Sequence, residues 1–147
     1  MLETVPAGDV FGVTYAFRDA PSMGISATSV GESVVLLFSV EGITHPCHNV
    51  CDAHLQFVRN LLSVISQKTF QMRQKLRILS KRTIRERVML ALQICAKRAK
   101  SNAFDLPFDR QAFADYLCVD RCALSTELSQ LRREGVLTFE KRHFVLR

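Results

Sequence analysis

The sequence lacks an apolar run of transmembrane length, and it has no basic-then-apolar signal segment at Met1. Both absences predict a chain that contacts no membrane and resides in the cytoplasm. Cysteine occurs five times, an odd number that, without a secretory signal, favours reduced thiols over a disulfide framework. No combination of base, nucleophile and oxyanion donors is discernible, so the sequence predicts no enzyme.

Positive charge is almost absent from the first part of the chain. Residues 1–58 contain one Lys or Arg against six Asp or Glu, whereas residues 59–147 contain 19 against 8. The formal net charge of +6 therefore belongs entirely to the second part. A basic region of this kind attracts the phosphate backbone of a nucleic acid and makes binding salt-dependent. By itself, the charge also fits an anionic membrane surface.

Residues 109–147 predict two short amphipathic helices around a tight turn, followed by a hairpin. Asp109 and Asp120 are N-cap candidates for the two helices. Leu124, Leu128 and Leu131 recur at i, i+4 and i+7, so they predict the buried face of the second helix. The first helix offers an inward face of Ala112, Phe113, Tyr116 and Leu117. This pattern is typical of a winged helix-turn-helix domain, and the alternative is a helical hairpin with a solvated basic face.

The opposite face of the second helix carries short polar side chains and one arginine, which suit the DNA major groove. The predicted base-facing residues are Arg121, Cys122, Ser125 and Thr126. Gly135 supplies a left-handed residue after the helix, and residues 136–139 and 143–146 predict the strands of a basic wing. The predicted phosphate contacts are Arg110, Gln111, Ser129, Arg132, Lys141, Arg142 and His143.

Four motifs in this region, FDRQ (108–111), ADYL (114–117), VDR (119–121) and LRREG (131–135), resemble the C-terminal domain of the Crp/Fnr transcription regulators. LSKRTIRER (79–87) is similar to the family's link between dimer helix and DNA-binding domain. The resemblance implies a sequence-specific transcription regulator, with double-stranded DNA and RNA polymerase as partners. Cys122 and Thr126 replace residues that many family members have as Glu and Arg, so the family's base preferences do not transfer. Cys118 replaces the usual glycine of the turn, which predicts either a left-handed conformation on a non-glycine residue or a slightly altered turn.

A heptad-like spacing in the middle of the chain predicts a long dimerisation helix. Seven of eight positions that alternate steps of three and four are apolar, which favours a two-helix coiled coil and a parallel homodimer. The seam consists of Leu55, Val58, Leu62, Ile65, Thr69, Met72, Leu76 and Leu79. Two recognition helices would then lie about one DNA turn apart, which predicts a palindromic operator. The alternative is an amphipathic helix buried within one monomer. Phe57, Leu61 and Val64 form a second stripe that needs a partner within the N-terminal part.

After the seam, Thr83 and Glu86 form a capping box, so a helix is predicted from near Ile84 to about Lys100. A short edge strand is expected at residues 105–108. The expected fold class is α+β, with a partial β-roll segment over 1–50, a dimerisation helix over 51–80 and a winged helix-turn-helix domain over 81–147.

The N-terminal segment PAGDVFG (6–12) resembles a turn and strand of the family's cyclic-nucleotide-binding-like β-roll, and SVVLLF (33–38) predicts a buried strand. Residues 1–45 are too few for a complete roll of about eight strands. The sequence therefore indicates a fragment, a truncated product or strands exchanged between protomers, and exposed edges predict association beyond the dimer.

A cyclic-nucleotide pocket of this family uses a glutamate after the Phe-Gly pair and an arginine beside Ser or Thr. Val13 follows Phe11 and Gly12 here, and the nearest phosphate-binding candidate, PSM (21–23), has no arginine. The sequence therefore predicts no response to cyclic AMP.

Residues 45–54 concentrate cysteine and histidine. If this segment is helical, Cys47, Cys51 and His54 share one face, which suits zinc or a redox-responsive iron centre. The spacing matches no standard motif, so the favoured interpretation is a chain without a cofactor. Two alternatives to the homodimeric regulator stay open: a truncated dimerisation partner of a full-length paralogue, and a metal or redox sensor. A separate hypothesis is redox control of DNA binding through Cys122.

Overall fold

The structure is a computed structural model that describes residues 5–16, 26–45 and 51–147. The chain divides into two compact units, Met1–Phe70 and Gln71–Arg147. The described helices and strands are α1 (Val13–Ala16), α2 (Val40–Thr44), α3 (Asp52–Leu79), α4 (Ile84–Ala99), β1 (Ala103–Asp105), α5 (Arg110–Leu117), α6 (Arg121–Arg133), β2 (Leu137–Glu140) and β3 (His143–Leu146).

The second unit packs three helices, α4, α5 and α6, against a three-stranded antiparallel sheet of order β1-β3-β2. Each of these helices and strands contributes to the hydrophobic core, and β1 does so through its middle residue, Phe104. The core also includes Ile78 from the last turn of α3. Leu92, Phe113, Leu124 and Phe144 are each no more than 1% exposed. Because each helix contributes one apolar stripe, the layers bury these stripes against one another.

The helix ends in this unit follow from local sequence. Thr83 and Glu86 form the expected capping box, with the Thr83 hydroxyl accepting from the Glu86 N–H at 3.2 Å. Asp109 and Asp120 are N-caps, as their positions predict. Gly135 has φ +74 after α6, where a left-handed residue was expected. Local hydrogen bonds therefore fix the limits of α4, α5 and α6.

The hairpin pairs Phe139 with Phe144 and Glu140 with His143 across a turn at Lys141, which has φ +51. The third strand, β1, pairs Phe104 with Phe144. The strand expected at residues 105–108 is therefore wrong in position, because β1 ends at Asp105. Leu106 still donates its N–H to the Arg142 carbonyl at 2.9 Å, but Pro107 has no N–H with which to extend the ladder.

In the first unit, the described residues form only short helices before α3. The strand predicted over residues 33–38 is wrong: this segment forms no regular element, and Val34 and Leu37 are 98% and 90% exposed. A strand needs a neighbour to receive its backbone hydrogen bonds, and no strand partner exists among the described residues 5–16 and 26–45.

A few contacts give the first unit its structure. Phe38 packs against Phe57 with ring centroids 5.2 Å apart, which supplies a partner for the second apolar stripe of α3. The Lys68 ammonium lies 3.2 Å from the Asp9 carboxylate. The N–H of Val10, and then Lys68, hold the pKa of Asp9 below its ordinary value.

Over the ranges that the structure covers, no helix combines the length and apolar character needed to cross a membrane.

Candidate nucleic-acid interface

The turn between α5 and α6 sets the orientation of α6. Cys118 ends α5 with φ 52 and ψ 51, which is the left-handed conformation, one of the two alternatives predicted from its replacement of glycine. Its N–H donates to the Asp115 carbonyl and the N–H of Val119 donates to the Ala114 carbonyl, both at 3.1 Å. Asp120 then accepts the N–H groups of Cys122 and Ala123 at 2.8 and 2.9 Å. Two adjacent caps therefore set the direction in which α6 leaves the turn.

Helix α6 turns one face into the core and the other outward. Leu124, Leu128 and Leu131 are completely buried, as predicted. The predicted base-facing residues lie on the other side: Arg121, Cys122 and Thr126 are exposed, and Ser125 is half-buried. The helix can therefore present these side chains to a groove without disturbing its packing.

The hydroxyl groups on this face donate to their own helix. Ser125 donates to the Arg121 carbonyl at 2.9 Å, Thr126 to the Cys122 carbonyl at 3.0 Å and Ser129 to the Ser125 carbonyl at 2.8 Å. Their oxygen atoms keep lone pairs that accept hydrogen bonds. Arg121 is consequently the strong donor of the predicted base-facing set, because Cys122 offers only a weak thiol donor.

Two predicted phosphate contacts, Arg110 and Arg132, flank one aromatic ring. Their guanidinium carbons lie 4.9 and 5.1 Å from the centroid of Phe139. Arg110 also lies 5.9 Å from the ring of Phe144. Burial first, and then the charge of Arg121, lower the pKa of Arg110 below its ordinary value, although an arginine stays protonated. The arrangement concentrates positive charge beside the N-terminus of α5 and the hairpin.

The remaining phosphate candidates differ in their existing contacts. Lys141 and Arg142 are exposed at the hairpin turn. Gln111 donates to the Asp115 carboxylate at 2.9 Å, and the Nδ1 atom of His143 lies 3.0 Å from the Oδ1 atom of Asp105. Gln111 and His143 must therefore share or exchange these partners if they contact DNA.

An ion pair that the sequence analysis missed joins α4 to the end of α6. Arg85 makes a two-point contact with Glu134, with Nη1 3.0 Å from Oε1, and it lies 3.6 Å from Glu127 Oε1. The hydrogen bonds from Arg85, and then from Gln130, hold the pKa of Glu134 below its ordinary value. Arg85 and Glu134 are 49 positions apart, so no local pattern could have indicated the pair.

The predicted dimer seam lies along α3, which is one continuous helix. Leu55, Leu62, Met72 and Leu76 are 41% to 63% exposed in the single chain. Val58, Ile65 and Leu79 are half-buried. Thr69 is exposed and its hydroxyl donates to the Ile65 carbonyl at 2.8 Å, so this polar residue is satisfied within its own helix. The seam therefore presents large apolar side chains to the outside.

The predicted metal ligands are only partly covered by the structure. Cys51 is exposed and directly precedes α3, and Cys47 lies outside the described residues. The Nε2 atom of His54 lies 3.1 Å from the Ile43 carbonyl, which leaves Nδ1 as the nitrogen that could hold a metal. Among the residues with described positions, no three His, Cys, Asp or Glu side chains are grouped to hold a metal ion.

The order of helices, the tight turn and the antiparallel hairpin define residues 84–146 as a winged helix-turn-helix domain. A family model described as a Crp-like helix-turn-helix domain matches residues 86–147. The domain is therefore of the Crp type, and the resemblance to the Crp/Fnr regulators is confirmed over this part of the chain.

Two relatives extend the similarity upstream. The chain is similar to the transcriptional activator protein FnrL of Cereibacter sphaeroides, with 33% identity over an alignment of 98 residues, and the match covers 60% of this chain and 40% of FnrL. It is also similar to the solved structure of FixK2 from Bradyrhizobium japonicum, with a TM-score of 0.55 and 30% identity, covering 63% of this chain and 48% of that one. The chain thus spans less than half the length of each relative.

Proposed function

We propose that this chain is a sequence-specific, DNA-binding transcription regulator of Crp/Fnr type, and that α6 is its recognition helix. The observation that carries this proposal is the two-sided character of α6: Leu124, Leu128 and Leu131 are completely buried, while Arg121, Cys122 and Thr126 point outward. A helix anchored in this way can enter a major groove, as the second helix of a helix-turn-helix does. The match of residues 86–147 to a Crp-like helix-turn-helix domain supports this role.

Electrostatics supports the same proposal. Arg110 and Arg132 flank Phe139, and Lys141 and Arg142 stand at the hairpin turn. We assign these four side chains, together with Gln111, Ser129 and His143, to the DNA phosphates. Contacts to phosphates position the protein, whereas Arg121, Cys122, Ser125 and Thr126 would read bases. Arg121 is the donor best suited to a guanine edge.

The proposed active form is a homodimer on a palindromic operator. Its support is the exposed apolar seam of α3, because Leu62, Met72 and Leu76 are each about 60% exposed in one chain and would be covered by a second helix. A two-fold dimer places two recognition helices about one DNA turn apart, so each half-site would be read by the same residues.

Selection of DNA sequences by the purified chain, followed by footprinting, tests the function. We expect a palindromic site and an affinity that falls steeply with salt. Arg121→Ala should reduce operator affinity about tenfold or more, the cost of losing a good base contact. Lys97→Ala removes one positive charge from α4, outside the proposed interface, and serves as the matched control. Equal affinity for all sequences would contradict the proposal, and tight pairing with a longer regulator without independent DNA binding would favour the dimerisation-partner alternative.

The proposal includes no cyclic AMP response and no resident cofactor. Within the family-like turn at residues 6–12, Gly12 has φ +78. Val13 follows Gly12 in the place of the family's glutamate.

Two measurements test these absences. Cyclic AMP should leave operator affinity unchanged, and a metal assay on anaerobically purified chain should find no stoichiometric metal. A stoichiometric metal lost in Cys51→Ala would instead support the sensor alternative.

A regulator of this type would act on DNA in the cytoplasm and contact RNA polymerase rather than catalyse a reaction. Transcription from a template that contains the selected operator, with purified polymerase and with or without the chain, measures this step. A change in transcript yield that depends on Arg121 would support it.

A further inference from the structure

Arg87 reaches from α4 to the turn that precedes α6. Its Nη1 atom donates to the carbonyl oxygens of Leu117 at 3.3 Å and Cys118 at 3.4 Å. Its Nε atom donates to the Lys81 carbonyl at 3.0 Å. One half-buried guanidinium therefore joins the connection after α3 to the turn between α5 and α6.

The acceptors in the turn are groups that α5 cannot satisfy by itself. The last carbonyls of a helix have no partner within it, and they form the negative end of its dipole. A cation that donates to Leu117 and Cys118 is favoured there on both grounds. Arginine can serve acceptors on two sides at once because its donors are fixed in one plane, which lysine cannot do.

The turn also requires support because of its sequence. Cys118 adopts φ 52, a left-handed conformation that crowds the Cβ atom of any residue except glycine. Asp120 begins the cap of α6 only two residues later. A change in the conformation of Cys118 would therefore redirect the first turn of α6, which carries Arg121 and Cys122.

We propose that Arg87 is a positioning residue for the recognition helix. It holds the Cys118 turn in its left-handed conformation and ties that turn to Lys81, so the orientation of α6 depends on the connection that follows α3. The role in DNA reading rests on the proposed function, whereas the role in the turn does not. The two parts are therefore tested by different measurements.

Hydrogen exchange in the full chain tests the turn. Arg87→Met removes the donors while keeping an apolar stem, and Arg87→Lys keeps the charge but loses the planar set of donors that reaches both sides. We expect the N–H groups of Cys118 and Val119 to exchange about tenfold faster in both variants, the effect of losing a charge-assisted hydrogen bond. The N–H of Leu92 in the core of α4 should stay within about twofold. Lys97→Met is the matched control on the exposed side of α4 and should change neither.

Rescue by glycine separates positioning from general stability. In the Arg87→Met background, Cys118→Gly should slow the exchange of Val119 again, because glycine adopts the left-handed conformation without steric cost. On DNA, Arg87→Met should reduce the ratio of operator to non-operator affinity about tenfold, and Cys118→Gly should restore part of that ratio.

Unchanged exchange at Cys118 and Val119 in Arg87→Met would overturn the proposal. Failure of both Arg87 variants to fold would overturn it as well, since Arg87 would then be needed for folding in general. A wild-type chain that does not distinguish operator from random DNA would contradict the proposed function, while the exchange measurement would still decide the role of Arg87 in the turn.

Discussion

The two units of the chain use similar apolar sequence in opposite ways. Among the residues that the structure describes, the fifteen buried hydrophobic ones all lie between Ile78 and Phe144, in the second unit. In the described part of the first unit, Val34 and Leu37 belong to the most apolar run of the sequence, and both are at least 90% exposed. The number of hydrophobic residues in a segment therefore does not decide whether they form a core, because they also need a second surface against which to pack.

The physical difference is the availability of partners. Leu124, Leu128 and Leu131 share one face of α6, which packs against elements of the same unit. Residues 33–38 have no paired strand among the described residues, and an isolated strand gains neither backbone hydrogen bonds nor a covered face. The comparison predicts that equivalent substitutions in the two units have unequal effects.

The largest expected difference is between Leu128→Ala and Leu37→Ala. Leu128 is completely buried, so its truncation should lower the free energy of unfolding by about 2–5 kcal/mol. The same change at the exposed Leu37 should stay within about 0.5 kcal/mol. Urea denaturation followed by circular dichroism measures both. Equal losses would show that residues 33–38 are buried in solution, which would break the comparison.

A second difference concerns the part of α3 in the first unit. Leu62 is 59% exposed in one chain but belongs to the proposed seam. Leu62→Lys should raise the dimer dissociation constant about tenfold or more, because it places a charge where the seam is apolar. Gln67→Lys, on an exposed position of α3 outside the seam, is the matched control. Sedimentation velocity over a range of concentrations gives the outcome, and a monomeric wild type would contradict the proposed homodimer.

A smaller difference is expected for two helix caps. Asp120 accepts two N–H groups at the start of α6, and Ser39 accepts the N–H of Gly42 at 3.0 Å at the start of α2. Asp120→Ala should destabilise the second unit by about 1 kcal/mol. Ser39→Ala should leave the main thermal transition unchanged, because α2 has no buried residue. A comparable loss in Ser39→Ala would indicate that α2 belongs to the cooperative unit.

The smallest expected effect depends on pH. Arg85 is the chief cause of the lowered pKa of Glu134. The charged form of Glu134 therefore stabilises the folded state above the unfolded pKa of about 4.3. This contribution is lost as the pH falls through the lower folded pKa. Glu134→Gln should therefore lower the thermal midpoint at neutral pH, and the gap from wild type should close in acid. Asp9 also has a lowered pKa, but Asp9→Asn should not move the transition of the second unit. A gap that persists in acid would show that Glu134 acts through packing instead.

Local patterns predicted much of the second unit. The capping box at Thr83 and Glu86, the N-caps at Asp109 and Asp120 and the left-handed Cys118 all involve neighbouring residues, and all are confirmed. The base-facing and phosphate-facing assignments stay predictions, although the structure places Arg121 and Thr126 on the exposed face. The strand at 33–38 could not be judged from sequence, since an apolar run indicates a buried strand only if another strand covers it.

The sequence alone determined where helices α4 to α6 begin and end and which face of α6 is apolar, because caps and periodicity act over one or two turns of chain. Only the tertiary structure decided that Arg85 pairs with Glu134, that Arg87 reaches the turn at Cys118 and that Arg110 and Arg132 flank Phe139. These contacts join residues that are far apart in the chain, and their geometry exists only after the helices and the sheet have packed around one core.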